Sequence, residues 1–223
     1  TLLSNNMDDF LPHYFELLGR RMAHIMRPKP FLAHLMRATR AMIANDGHAT
    51  NEQVFAKAFF PVNGHLRQEV EPLFRDFYAN DFPSLRRYTQ RKPEARHIVQ
   101  LAFDLGLKVV IATNPVFPAV AVHQRLAWAG VDDLPYDLVT TYENSWAAKP
   151  NLLYFEQVLE SIRQPASATL VVGDEDMDMV AAHLGCRTFL VPGPRSDLAA
   201  STPQPTYQGT LTDLETLLQV LRS

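Results

Sequence analysis

The stretch LVVGDEDMD at 170–178 releases four carboxylates, Asp174, Glu175, Asp176 and Asp178, within five residues of a short apolar run and a glycine. A run of that kind reads as a buried strand, and the acids after it lie at the strand's carboxyl end, where open α/β sheets bind ligands. Clustered carboxylates repel one another unless a cation sits among them, and a hard, oxygen-seeking ion such as Mg2+ suits them. The plainer reading is a solvated acidic turn at the start of a helix near Asp178, since acids favour helix N-termini. The acids alone leave the two readings level.

Two further polar strand ends bear on the choice. KVVIA at 108–112 is a β-branched run that leads into Thr113-Asn114-Pro115, and a strand near 138–140 leads into TYENSWAAKPN, which holds Lys149. Parallel strands put their carboxyl ends on one edge, so a hydroxyl, an ammonium and the acids converge there. Such a set suits a phosphoryl group: Thr113 and backbone N–H groups grip its oxygens, Lys149 stabilises developing charge, and a metal screens it. Singly, Thr113 reads as a turn cap and Lys149 as a surface lysine. A lysine at the positive end of a helix is misplaced, however, unless an anion is near. The order of strand-Thr, Lys-Pro and strand-Gly-Asp-xxx-Asp is what is specific.

The composition excludes several classes. The chain of 223 residues is 47% hydrophobic, enough for one sizeable core or a core with a smaller lobe. No apolar run is long enough to span a bilayer, and 1–19 carries acids where a secretory leader has basic and then apolar residues, so no membrane partner is expected. The one cysteine, Cys186, has no partner for an internal disulfide, which points to a reducing cytoplasm. Eight scattered histidines form no zinc motif, and no basic stripe marks a nucleic-acid partner. The net charge of -3 divides into +3 over 1–95 and -6 over 96–223, a weak asymmetry that suits an anionic substrate against a metal-binding half.

These residues need a scaffold, and the sequence changes grammar near Pro93. Before it, apolar stripes of helical period predict four helices: from Asp8-Asp9 through Met22, from Phe31 to Ile43, from a Thr50/Gln53 capping box to a stop at Pro61, and from Leu66 to Tyr78. Residues 6–88 therefore read as an all-helical lobe. Beyond Pro93, helix and strand alternate: helices near 98–105, 118–129, 150–162 and 178–184, and strands at 108–112, 138–140, 169–172 and 188–191. That alternation predicts an α/β fold with a doubly wound parallel sheet. Thr212 with Glu215 is expected to cap a last helix, and 192–208 to form a surface connection.

On these motifs the sequence resembles the haloacid dehalogenase superfamily of phosphohydrolases. IATN with Thr113 is similar to the second family motif, AKPN with Lys149 to the third, and GDEDMD with Asp174 and Asp178 to the fourth; TNPVFP, RLAWAG, TTYENS and DMVAAHLGCRTFLV resemble a bacterial branch of hydrolases. The resemblance implies a Rossmann-like core formed by 1–5 and 89–223, with 6–88 inserted as a helical cap that closes over the site. It implies a Mg2+ cofactor and a small phosphorylated metabolite as partner. It also implies that Thr113 and Asn114 hold the phosphoryl group, Lys149 stabilises its charge, Asp174 ligates the metal, and Asp178 supports the metal or Lys149.

The family's first motif is a strand ending in Asp-x-Asp-x-Thr, whose first aspartate is the nucleophile and whose second is the general acid and base. The chain opens at Thr1-Leu2-Leu3. The expectation is that about ten residues, an apolar strand and both aspartates, precede Thr1, a length set by ordinary strands. As written the chain is expected to be inactive. Asp8 and Asp9 follow no strand and read as helix-start acids rather than substitutes. The leading function is a Mg2+-dependent phosphatase working through an aspartyl-phosphate. The alternatives are a phosphomutase or dehalogenase of the same superfamily, or a catalytically inactive phosphate-binding scaffold. A receiver-like switch also groups Asp, Thr and Lys, but a lobe of about eighty residues is foreign to it. For substrate selection the basic residues Arg20, Arg21, Arg27, Lys29, Arg37 and Arg40 are candidates, with solvated helix faces as the plainer reading. Oligomeric state is not legible.

Overall fold

In a computed structural model, which describes residues 1–5, 7–193 and 196–220, the chain begins with a short strand β1 (Leu3–Asn5). Four helices come next: α1 (Met7–Arg21), α2 (Pro28–Ile43), α3 (Asn51–Phe59) and α4 (Arg67–Asp76). A π-helical turn at Phe77–Asp81 and a 3-10 helix at Phe82–Tyr88 lead to β2 (Thr89–Arg91). Then come α5 (Glu94–Asp104), β3 (Val110–Ile111), α6 (Ala119–Ala129), β4 (Leu138–Val139), α7 (Leu152–Ile162) and β5 (Leu170–Gly173). The chain closes with α8 (Asp176–Met179), β6 (Arg187–Leu190), β7 (Tyr207–Gln208) and α9 (Leu211–Val220).

The helices of 7–88 pack on aromatic residues. Phe10 and Tyr14 of α1, Phe77, Tyr78 and Phe82 are buried together, and the edge-on pairs Tyr14–Phe77 and Phe10–Phe82 have centroids 5.5 and 6.3 Å apart. Edge-on contacts suit the ring quadrupoles and add about 0.5–1.5 kcal/mol per pair beyond burial. The cluster continues into α6: Trp128 stacks on Phe82 at 5.3 Å, and Phe117 meets Tyr14 at 5.6 Å. One core thus joins the helical segment to the first helix beyond β3.

The parallel sheet is present in two pieces. β3 pairs in parallel with β4, and β5, β6 and β7 form a second parallel set in that order. β1 and β2 form a separate antiparallel ribbon in the register Leu3–Arg91, Ser4–Gln90 and Asn5–Thr89. Neither that ribbon nor β7 is foreseen from sequence, because Leu3–Asn5, Thr89–Arg91 and Tyr207–Gln208 lack the apolar run that marks β3 to β6. Among the described residues β3 and β5 do not pair with each other. Residues of both pieces, Val109, Val110, Ile111 and Ala112 around β3 and Leu170, Val171 and Val172 of β5, line a cleft of about 2100 Å³.

The Thr50/Gln53 capping box at α3 is present in full. Three local expectations are corrected. The last helix is capped two residues earlier than expected: Thr210 Oγ1 accepts from Asp213 N–H at 3.2 Å, and Asp213 Oδ2 accepts from Thr210 N–H at 2.7 Å. Thr212 already lies in the first turn, and Glu215 instead meets His97 at 2.9 Å. The helix expected at 178–184 is α8 continued by a 3-10 segment, Val180–Leu184, closed by Gly185 at φ +89°. Residues 192–208 include β7, which joins the sheet through Phe189–Tyr207 and Leu190–Gln208.

Candidate active site

The site is built where β3, the loop after β4, and β5 end. Lys149 stands one residue before a proline in that loop and is only 6% exposed. Its Nζ donates to Asp178 Oδ1 at 2.6 Å and to the Ala112 carbonyl, at the end of β3, at 2.7 Å. Burial alone would depress the ammonium; the Asp178 carboxylate outweighs it and holds Lys149 above its ordinary pKa. The rings of Tyr154 and Phe155, from the first turn of α7, lie 5.6 and 5.9 Å from Nζ.

Asp178 is reached because β5 ends in a glycine. A Cβ at Gly173 would overlap the Asp178 side chain well inside van der Waals contact. With that space open, Asp178 Oδ2 turns back to accept from the N–H groups of Asp174 and Glu175 at 3.2 and 3.3 Å. Both oxygens of Asp178 are therefore engaged, one by Lys149 and one by the backbone of the acidic turn.

Asp174 points the other way. Its Oδ1 accepts from the Thr1 hydroxyl at 2.7 Å and lies 3.0 Å from the Thr1 amino group, while its carbonyl accepts from Ser196 Oγ at 2.8 Å. Glu175 caps α8 in a reciprocal pattern with Asp178.

Thr113 lies just past β3 and is tied to the end of β4. Its hydroxyl donates to the Thr140 carbonyl at 2.7 Å, and its N–H donates to Thr140 Oγ1 at 2.9 Å. Tyr154 OH donates to the Thr113 carbonyl at 2.8 Å and sits 3.1 Å from Thr140 Oγ1. The proton of the Thr113 hydroxyl is thus used inside the protein. Asn114 differs: among the described residues its Nδ2 reaches only Met177 Sδ, at 3.9 Å, and its Oδ1 is buried without a partner. A carboxamide left that poorly bonded costs free energy unless another group meets it.

Thr113, Asn114, Lys149, Asp174 and Asp178 all line this cleft, so the five residues singled out from sequence share a cavity. The same cleft is also lined by Glu52 and Phe55 of α3, Arg67, Glu71, Phe74 and Arg75 of α4, and Tyr142. Of the basic residues singled out from sequence, Arg20, Arg21, Arg27, Lys29, Arg37 and Arg40, none lines it. Arg20 pairs with Glu16, Arg21 with Asp76 and Asp81, and Arg37 bonds His34. Arg67, between Glu52 and Glu71, and Arg125, over the Phe10 ring at 5.3 Å, occupy the cleft instead. Tyr154, Thr140 and Asn51 also support the site without being foreseen; for Thr140 the signal was a hydroxyl continuing the β4 run into its loop.

The fold is matched by known structures. The chain aligns in fold with a HAD phosphatase from Thermococcus onnurineus (21% identity, TM-score 0.58, covering 98% of this chain and 93% of that one). It aligns similarly with an L-2-haloacid dehalogenase from Xanthobacter autotrophicus with chloropropionic acid covalently bound (15%, 0.59, 97% and 94%). A third is CbbY from Rhodobacter sphaeroides in complex with phosphate (12%, 0.57, 96% and 92%). At these identities the likeness concerns the fold alone. Comparison with curated proteins finds no match. The sequence pattern of the haloacid dehalogenase-like hydrolases matches residues 33–184, which include Thr113, Lys149, Asp174 and Asp178, and the chain belongs to that family.

Proposed function

We propose that the protein is a Mg2+-dependent phosphohydrolase of a small phosphorylated metabolite. It works through an aspartyl-phosphate whose aspartate lies on a strand preceding Thr1, in the cleft between β3 and β5. The observation that carries this reading is the buried Lys149 ammonium, held between the Ala112 carbonyl and Asp178 at the edge of a cleft that also receives Asp174 and Asn114. A fixed cation of this kind stabilises a transferring phosphoryl group without reorganising during reaction. Asn114 Nδ2, held only by a long contact to Met177 Sδ at 3.9 Å among the described residues, can donate to its oxygens. Thr113 contributes by anchoring the loop through Thr140 and Tyr154, since its hydroxyl proton is already committed.

The donors present fit Mg2+ in part. Among the described residues no three His, Cys, Asp or Glu side chains group to hold a metal. Mg2+, however, keeps several waters and needs one or two carboxylates with substrate phosphate. Asp174 would supply one, and an upstream aspartate another, while Asp178 serves Lys149. Bound Mg2+ would neutralise phosphoryl charge as the attacking carboxylate approaches.

The paired free edges of β3 and β5, with apolar walls, suit one further strand, because an uncovered edge presents unpaired backbone groups. In this reading the segment 6–88 is a cap over the site, and a reducing cytoplasm suits the lone Cys186. Among the described residues no helix is long and apolar enough to cross a membrane. The test is phosphate release from p-nitrophenyl phosphate with Mg2+ or EDTA, on the 223-residue chain and on a form extended upstream of Thr1. Turnover by the extended form that is lost with EDTA and with Asp174→Ala is expected. A folded, extended protein inert to this ester and to a metabolite panel would favour the phosphate-binding scaffold.

A further inference from the structure

Asn51 is the first residue of α3, and none of it is exposed. Its Nδ2 donates to the carbonyls of Pro115 at 3.1 Å and Ala147 at 3.0 Å. Its Oδ1 accepts from Asn45 Nδ2 at 2.8 Å. The backbone N–H groups of Asn51 and Glu52 donate to the carbonyls of Ser145 and Tyr142, each at 2.8 Å. The first N–H groups of a helix have no partner within it, and here the loop after β4 supplies their acceptors. Carbonyl oxygens also suit the positive pole of the helix.

The two carbonyls that Asn51 meets belong to the two loops that carry the site. Pro115 is next to Asn114, and Ala147 stands two residues before Lys149. One nitrogen donating to both fixes their separation to within the tolerance of two hydrogen bonds. A buried network of this kind, with each member satisfied, rigidifies the loops it joins.

We infer that Asn51 is a positioning residue: it holds the loop of Thr113 and Asn114 in register with the loop of Lys149, and makes that register depend on α3 being seated. Its kinetic consequence rests on the phosphohydrolase reading; its structural consequence does not. Asn45 provides the control, because it braces Asn51 and the turn before α3, through Ala49 and Gly47, without touching either site loop.

The experiment compares the full chain with Asn51→Asp, Asn51→Ala and Asn45→Ala, by peptide-resolved amide hydrogen exchange and, in the turnover-competent form, by kcat and KM. Asn51→Asp keeps the shape and removes both donors. Both Asn51 variants are expected to speed exchange across 140–149 by about tenfold, as local opening becomes easier. They are expected to lower kcat by about 10²-fold, with KM within about threefold, as small misplacements of reacting groups do. Asn45→Ala is expected to loosen 45–50 and keep kcat within about threefold. Folded Asn51 variants with native exchange at 140–149 overturn the inference, and so does Asn45→Ala matching them at that segment. If no form turns over phosphate esters, the phosphohydrolase reading fails and the exchange comparison still decides the role of Asn51.

Discussion

Lys149 and Asp178 form a buried ion pair, Nζ to Oδ1 at 2.6 Å, with side chains 7% and 10% exposed. The pair joins the loop after β4 to the turn after β5, and the Ala112 carbonyl adds the end of β3. Breaking such a pair from one side leaves a desolvated charge. Asp178→Ala is therefore expected to destabilise the fold by about 3–5 kcal/mol. Replacing both members, as in Lys149→Met with Asp178→Leu, is expected to recover much of that loss while abolishing turnover. Urea unfolding of the three proteins checks this.

Gly173→Ala tests why β5 ends as it does. The added methyl overlaps the Asp178 side chain, so Asp178 must leave Lys149 or the turn 174–178 must shift. The expected result is a loss of turnover of about 10²-fold from misplacement of the site, with a measurable loss of stability. An alanine protein with native activity and melting temperature would show that the turn is softer than the geometry implies.

The fold class was legible, and so was the convergence of five candidate residues on one cleft, because strand ends place polar residues after a clear apolar run, as VVIA-Thr113 and LVVG-Asp174 do. What was not legible came from contacts distant in sequence. Asn51 is 64 residues from Pro115 and 96 from Ala147, and its type alone says only helix start. Nothing in the sequence marks Tyr154 of α7, although its hydroxyl serves Thr113 and Thr140. Which arginines face the cleft depends on helix rotation: Arg20, Arg21 and Arg37 found carboxylate or histidine partners on the helices, whereas Arg67 and Arg125 line the cavity.

The cap of α9 separates two neighbouring threonines. Thr210→Ala removes the reciprocal bonds with Asp213 and is expected to cost about 1 kcal/mol, whereas Thr212→Ala, in the first turn, is expected to cost a few tenths at most. Equal losses in thermal unfolding would contradict the observed cap.

The Arg96–Asp133 pair is a traceable source of acid sensitivity. Two bonds of 2.6 and 2.7 Å from Arg96 lower the Asp133 carboxyl from 3.8 to about 2. A carboxyl depressed by folding contributes stability above its unfolded pKa and loses it as pH falls through the folded one. Asp133→Asn is thus expected to melt below the native protein at pH 7, with the difference closing between about pH 4 and pH 2. A gap that persists at pH 2 would place the stabilisation elsewhere.

The most direct test of the central claim measures phosphate and halide release side by side from the form extended upstream of Thr1, with Mg2+ and with EDTA. The substrates are p-nitrophenyl phosphate, a panel of small phosphorylated metabolites, and L-2-chloropropionate. The account predicts phosphate release that needs Mg2+ and is lost in Asp174→Ala and Lys149→Met, with no halide released. Halide release that persists in EDTA, without phosphate release, would contradict it.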